Sequence, residues 1–278
     1  MLNLGVRAHD FGKLPVAELA ARIAQHGLSC VQLAPFKAIA DVEPDRPLTA
    51  DFARQVAAVF QQHGIRIAVL GCYINLAEPN APIRRQLLTC FKEHLQVARA
   101  FGCRFVATET GSLNSDFSPH PENTSEAAFC SVLAAVCELV AAAVQEDAVV
   151  AVEAVERYVI SSPQRLCRLI DEIDSPHVQV ILDPVNLLST SNHLSQRQLV
   201  AEAIDRLGSR CAVVHAKDFA IVDGRFEERD AGRGQFDYRA LLRWIKTEKP
   251  GLPVILENTH PATIAETIAF IRTAYDQA

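Results

Sequence analysis

What this 278-residue chain lacks already excludes several classes of protein. Its eight cysteines include no Cys-x-x-Cys pair, so neither a zinc ribbon nor a thioredoxin-like redox motif is written into it. Lys and Arg never form a run of five, and the formal net charge is −6, which argues against a nucleic-acid partner. No uninterrupted apolar stretch reaches the about 18 residues of a membrane span. The start, Met1-Leu2-Asn3-Leu4-Gly5-Val6-Arg7, has no basic leader ahead of a long apolar core. The expectation is a protein of the reducing cytoplasm, with no membrane partner and its thiols mostly buried as small hydrophobes. No Gly-x-Gly-x-x-Gly turn marks a dinucleotide-binding open sheet. There is no low-complexity tract or linker, so a single domain spanning 1–278 is expected.

What the chain does contain is alternation. Eight short apolar runs (residues 2–8, 29–34, 65–73, 103–108, 148–154, 178–182, 211–216 and 253–256) are rich in Val, Ile and Leu, as parallel strands covered on both faces should be. Between them, helical spacing is read at 16–26, 52–63, 84–101, 127–144, 165–173, 196–207, 238–246 and 262–275. Ser162-Pro163 supplies an N-cap and a first-turn proline ahead of the fifth of these. Eight strand–helix units fit the size of a (β/α)8 TIM barrel, about 250 residues. Three connections, 35–47, 111–123 and 219–235, are long and polar. The last has Asp223-Gly224 between two β-like segments, a hairpin signal. Elaborated loops mark the barrel face where chemistry sits.

Four consecutive strands end alike. Val152-Glu153, Leu182-Asp183-Pro184, Val214-His215 and Leu256-Glu257 each deliver a metal-competent side chain at the carboxyl end of an apolar run. One carboxylate ending a strand is ordinary; Asp183 before Pro184 could simply initiate a turn. Four in succession at one barrel mouth form a set of three carboxylates and one imidazole, whose mutual repulsion a divalent cation would relieve. Oxygen dominance suits Mn²⁺ first, with Mg²⁺, Co²⁺ or Zn²⁺ as alternatives. Such an ion on a ketone oxygen and a neighbouring hydroxyl acidifies the carbon between them. A carboxylate on each face, Glu153 and Glu257, could then remove and return the proton. His9, Glu109, Arg157, Asn186 and Lys217 lie at or near strand ends and are candidates for binding substrate.

In these residues, together with Asp183-Pro184-Val185-Asn186, His215-Ala216-Lys217-Asp218 and Gly232-Arg233-Gly234-Gln235-Phe236-Asp237, the whole chain resembles the xylose isomerase-like TIM-barrel superfamily. Within it, the likeness is to the sugar phosphate isomerase/epimerase branch related to D-tagatose 3-epimerase. The resemblance implies that Glu153, Asp183, His215 and Glu257 are metal ligands and that the two glutamates double as acid/base residues. It also implies that Arg157 contacts substrate. One departure is Asn186, where the epimerases carry a substrate-contacting histidine. The expected activity is a metal-dependent sugar, cyclitol or sugar phosphate isomerase or epimerase, with a small-molecule partner; self-association is compatible with the sequence. The competing readings are a lyase of the same fold acting on a keto-cyclitol or dehydroshikimate-like acid, an endonuclease IV-like phosphodiesterase, and a non-catalytic sugar-binding protein. The acidic balance and the sparse strand-end histidines oppose the phosphodiesterase, and the intact glutamate pair opposes the binding protein.

Overall fold

A computed structural model describes residues 1–43 and 47–278. Three residues of the long 35–47 connection, Pro44, Asp45 and Arg46, lie outside the described residues. Eight parallel strands close into a barrel: β1 (Asn3–Arg7), β2 (Cys30–Leu33), β3 (Arg66–Gly71), β4 (Phe105–Glu109), β5 (Val149–Glu153), β6 (Val178–Leu182), β7 (Cys211–Ala216) and β10 (Pro253–Leu256). Closure occurs where the first strand meets the last, in register from Asn3↔Pro253 to Val6↔Leu256. The remaining two strands, β8 (Asp218–Val222) and β9 (Arg225–Arg229), are the hairpin expected around Asp223-Gly224. Both turn residues have positive φ, 49° and 75°, as a type I′ turn requires.

Nine α-helices are present among the described residues: α1 (Val16–Ala24), α2 (Pro35–Ala38), α3 (Ala50–Gln62), α4 (Ala81–Ala98), α5 (Glu126–Gln145), α6 (Pro163–Ile173), α7 (Gln196–Leu207), α8 (Arg239–Glu248) and α9 (Ile264–Gln277). Eight answer to the predicted helices. The single-turn α2 falls in the expected 35–47 connection, since four residues are too few to show a helical period. Side chains of Thr49, Asn80, Ser125 and Ser162 accept hydrogen bonds from the first-turn amides of α3 to α6. Helix α4 lies three residues earlier than the 84–101 expected from its apolar spacing, because Asn80 caps it and Pro82 sits in its first turn.

The strands alternate between two packing environments. Inside the barrel, Cys30, Ala68, Val69, Ala107, Ala151, Ile181, Ala212, Val213 and Ile255 form a narrow core of mostly small residues. Outside, the larger apolar side chains pack against the helices. Helix α5 departs from the sequence expectation: its best 18-residue window has mean hydropathy 2.2, enough by length and composition for a span. Phe129, Val132, Val136 and Leu139 are buried between it and its neighbours, while Cys130 and Cys137 point outward. Only Cys30, Cys72, Cys103 and Cys211 are fully buried, fewer than expected.

Gly5 shows how tightly the barrel wall is drawn. A Cβ on it would overlap the backbone carbonyl of Cys30 on the neighbouring strand. Gly5→Ala should therefore destabilise the fold by about 1–3 kcal/mol through overpacking, read by urea unfolding. An unchanged midpoint would mean that the β1–β2 contact yields at no cost.

Candidate metal and substrate site

Strand register brings the four predicted ligands together. Glu153 ends β5, Asp183 follows β6, His215 is the fifth residue of β7, and Glu257 follows β10; all four are buried. One ligand atom from each lies within 4.8 Å of all the others. Pro184 halts the strand after Asp183, and the chain turns back onto that carboxylate. Asp183 Oδ1 accepts from the amides of Val185 (2.8 Å) and Asn186 (3.1 Å). Oδ2 is buried and accepts no hydrogen bond. The Lys217 ammonium approaches it to 3.3 Å, off hydrogen-bonding geometry.

His215 is aimed by a residue that sequence reasoning missed. Its Nε2 lies 2.7 Å from Gln32 Oε1, and Gln32 Nε2 donates to the Tyr73 hydroxyl at 3.0 Å. An Nε2–H donated to Gln32 leaves Nδ1 facing Glu257 Oε2 (2.9 Å) and Glu153 Oε2 (3.3 Å), as metal-ligating histidines are oriented. Burial favours the neutral ring, but Glu153 and Glu257 outweigh it and push the pKa up to about 10. Burial pushes the Asp183 carboxyl up to about 7 against the pull of Lys217, with Glu257 and Glu153 adding to the rise. Glu153 and Glu257 thus raise both pKa values, as the main raising influence at His215 and as an addition to burial at Asp183.

Lys217 and Asn186 are built into this wall. The Lys217 ammonium is 2% exposed; it donates to Asn186 Oδ1 (2.7 Å) and Glu257 Oε1 (3.3 Å) and pairs with Glu228 (3.2 Å). Burial opposes its charge, yet Asp183, Glu257 and Glu228 hold its pKa well above the ordinary lysine value. Asn186 Nδ2 donates to Glu153 Oε1 at 2.6 Å, so both ends of its amide are engaged. Lys217 is itself fixed by Tyr238, whose hydroxyl donates to its carbonyl at 2.6 Å. The next residue, Asp218, accepts from the amides of Gly232 (3.0 Å) and Phe236 (2.8 Å), giving the Gly232–Gly234 loop a structural reason.

Other predicted residues sit around the rim. Glu109 is the register partner of Glu153; burial, then Glu153 and Glu257, push its carboxyl up to about 8. The Arg157 guanidinium stacks on Tyr158, 5.0 Å from the ring centroid. His9 faces a cavity of about 650 Å³ lined also by Arg7, Asp10, Glu228 and His260. Its Nδ1 is buried without a partner, and burial, then Arg7 and Lys37, push its pKa down to about 3, so the ring is neutral. Asn75, shortly after β3, is structural: its Nδ2 donates to the Ser112 carbonyl (2.8 Å) and its Oδ1 accepts from the Ala77 amide (3.1 Å).

Four residues of the site escaped sequence reasoning: Arg7, Gln32, Tyr73 and Glu228. Arg7 Nη1 donates to Glu257 Oε1 (2.9 Å), while its other nitrogens hold Asp10 and Asn258. Burial opposes the Glu257 charge, but Lys217, His215 and Arg7 hold its carboxyl well below the usual range. Gln32 had a visible signal, a polar residue inside the apolar run Cys30-Val31-Gln32-Leu33. Gln32→Leu removes the acceptor that orients His215. If the cluster holds a divalent ion, the substitution should weaken its binding by about 10- to 100-fold, measured by calorimetric titration. Unchanged affinity would remove Gln32 from the site.

No curated protein sequence matches the chain. Among solved structures, a 3-keto-D-glucoside 4-epimerase from E. coli superposes with a TM-score of 0.75 at 18% identity, covering 98% of this chain and 100% of its own. A D-tagatose 3-epimerase-like protein gives 0.78 at 15% identity, covering 99% and 97%. The IOLI protein with a bound zinc atom gives 0.75 at 14% identity, covering 99% of each chain. At these identities the likeness is one of fold. The family pattern described as xylose isomerase-like TIM barrel matches residues 8–274. The chain belongs to the xylose isomerase-like TIM barrel family.

Proposed function

We propose that the protein is a divalent-metal-dependent isomerase or epimerase of a sugar, cyclitol or sugar phosphate, working by removal of a proton next to a carbonyl. The observation that carries this reading is the buried convergence of three carboxylates and one imidazole within 4.8 Å, with Asp183 Oδ2 left without a hydrogen bond. Glu153, Asp183, His215 and Glu257 would hold the ion, and their oxygen-rich set suits Mn²⁺ best, with Mg²⁺, Co²⁺ or Zn²⁺ as alternatives. When bound, the ion would polarise the substrate carbonyl and its neighbouring hydroxyl and so acidify the C–H bond between them.

The chain's own residues supply the proton chemistry. Glu257, kept anionic by Lys217, His215 and Arg7, is the base. Glu153, contacted by the Asn186 amide and, at 3.4 Å, by the Tyr73 hydroxyl, exchanges a proton on the other face. Of the predicted substrate contacts, Asn186 and Lys217 act by positioning, since their polar atoms are already engaged by Glu153, Asp183 and Glu257. His9, Glu109 and Arg157 are left for substrate groups, and the unpartnered His9 Nδ1 supports that assignment. Return of the proton to the opposite face gives an epimer; return to the neighbouring carbon gives an aldose–ketose pair. Loss of a β-hydroxyl would give a dehydration, the lyase alternative. The epimerases among the fold relatives support the first outcome.

Incubating metal-loaded protein with ketoses, inososes and keto acids in D₂O should place deuterium at one carbon of one substrate class, read by NMR. No exchange in any of them would sink the reading. Glu257→Gln should lower turnover by about 10²- to 10⁴-fold with an unchanged circular dichroism spectrum. Undiminished turnover would reassign the base. Mn²⁺ at about 100 times its dissociation constant should stabilise the fold by about 2.7 kcal/mol. A chelator should reverse that gain, and Asp183→Asn should remove it; equal stabilisation of that variant would move the ion elsewhere.

A further inference from the structure

Cys72, Cys90 and His94 meet in a different layer of the molecule, and nothing in the proposed chemistry uses them. Cys72 follows β3 and precedes Tyr73, and the side chains of an extended segment alternate. Tyr73 packs with the barrel interior, while Cys72 joins the core between sheet and helices. Cys90 and His94 are one turn apart on α4 and so share a face. One ligand atom from each of the three lies within 4.8 Å of the other two. His94 is 2% exposed, and its Nδ1 sits 2.8 Å from the Cys90 carbonyl oxygen. An Nδ1–H donated there leaves Nε2 as the free nitrogen, the tautomer a metal ligand needs.

We propose that Cys72, Cys90 and His94 form a second metal site, for a thiophilic cation of the Zn²⁺ class. Buried cysteines ordinarily serve as small hydrophobes, but two sulfurs and an imidazole converging from two elements are a zinc donor set. Zn–S distances of about 2.3 Å and Zn–N of about 2.0 Å put tetrahedral donors roughly 3.5–4 Å apart, a spacing compatible with three ligand atoms that all lie within 4.8 Å of one another. The donor chemistry separates the two sites: Mg²⁺ and Mn²⁺ favour the carboxylate centre, and thiolates disfavour them. Binding converts both thiols to thiolates and releases their protons to solvent, with no change of oxidation state. Cys90 is half-buried, which leaves the fourth coordination position to water. The bound cation would clamp α4 to the end of β3, beside the tyrosine whose hydroxyl reaches Glu153.

Cobalt(II) titration of the reduced, metal-free, full-length protein tests this, with absorption spectra and metal analysis on the same samples. Wild type should show a thiolate-to-cobalt charge-transfer band in the near ultraviolet that Zn²⁺ displaces. Cys90→Ser and His94→Gln should lose or strongly weaken it, and Asp183→Asn should keep it. No band in wild type, or a full-strength band in Cys90→Ser, overturns the site. A missing band with cobalt still bound in an Asp183-dependent manner sinks this site and leaves the proposed function standing. Should the Cys90 variant not fold, alkylation of wild type decides. One equivalent of Zn²⁺ should slow labelling of Cys90 by about tenfold or more while the exposed Cys130 reacts as before. Equal slowing at both, or at neither, overturns the site.

Discussion

The crowding of negative charge at one end of the barrel is the constraint to which the surrounding structure answers. Glu153, Asp183 and Glu257 are buried side by side, with Glu109 next in register and Glu228 arriving from the hairpin. Carboxylates removed from water repel one another and lose hydration unless cations and donors replace it. Arg7, Lys217 and the His215 ring supply positive charge, while Asn186, Tyr73 and the amides after Pro184 supply donors. Even so, Asp183 Oδ2 keeps no hydrogen bond. The compensation is nearly complete and stops at the place where a divalent ion would complete it.

That balance accounts for the course of the chain outside the barrel. The hairpin at Asp218–Arg229 brings Glu228 within 3.2 Å of Lys217, giving the buried ammonium a further partner. Asp218 spends its carboxylate on backbone amides of the following loop, which holds the segment between hairpin and α8 in place. Phe219 stacks on Phe226 across the hairpin with centroids 4.8 Å apart, so the projection is stiffened by its own aromatic pair. The His215-Ala216-Lys217-Asp218 stretch thus contributes a ring to the carboxylates, an ammonium between them, and an anchor for the loop beside them.

The barrel and its four convergent residues were legible because two periodicities coincide in the sequence. Apolar runs of strand length recur eight times, and four of them end in the same kind of side chain. Residues that act through a neighbour were harder to see. Gln32 orients His215 across 183 positions of sequence, and no local pattern links them. Arg7 lies near the end of the apolar run 2–8, where a charged residue reads as solvated; only closure of β1 on β10 shows that it faces Glu257. Asn186 stood out as a departure from the epimerase pattern. The structure shows its amide bridging Glu153 and Lys217, a role that depends on where two other strands end.

The seam between β1 and β10 makes the centre conditional on closure of the barrel. Arg7 comes from the first strand of the protein, and its partners Glu257 and Asn258 come from just after the last. The guanidinium and its carboxylate can meet only where the two ends of the sheet pair, in register from Asn3↔Pro253 to Val6↔Leu256. The complete centre is thereby a property of the closed cylinder and of no arc of it taken alone.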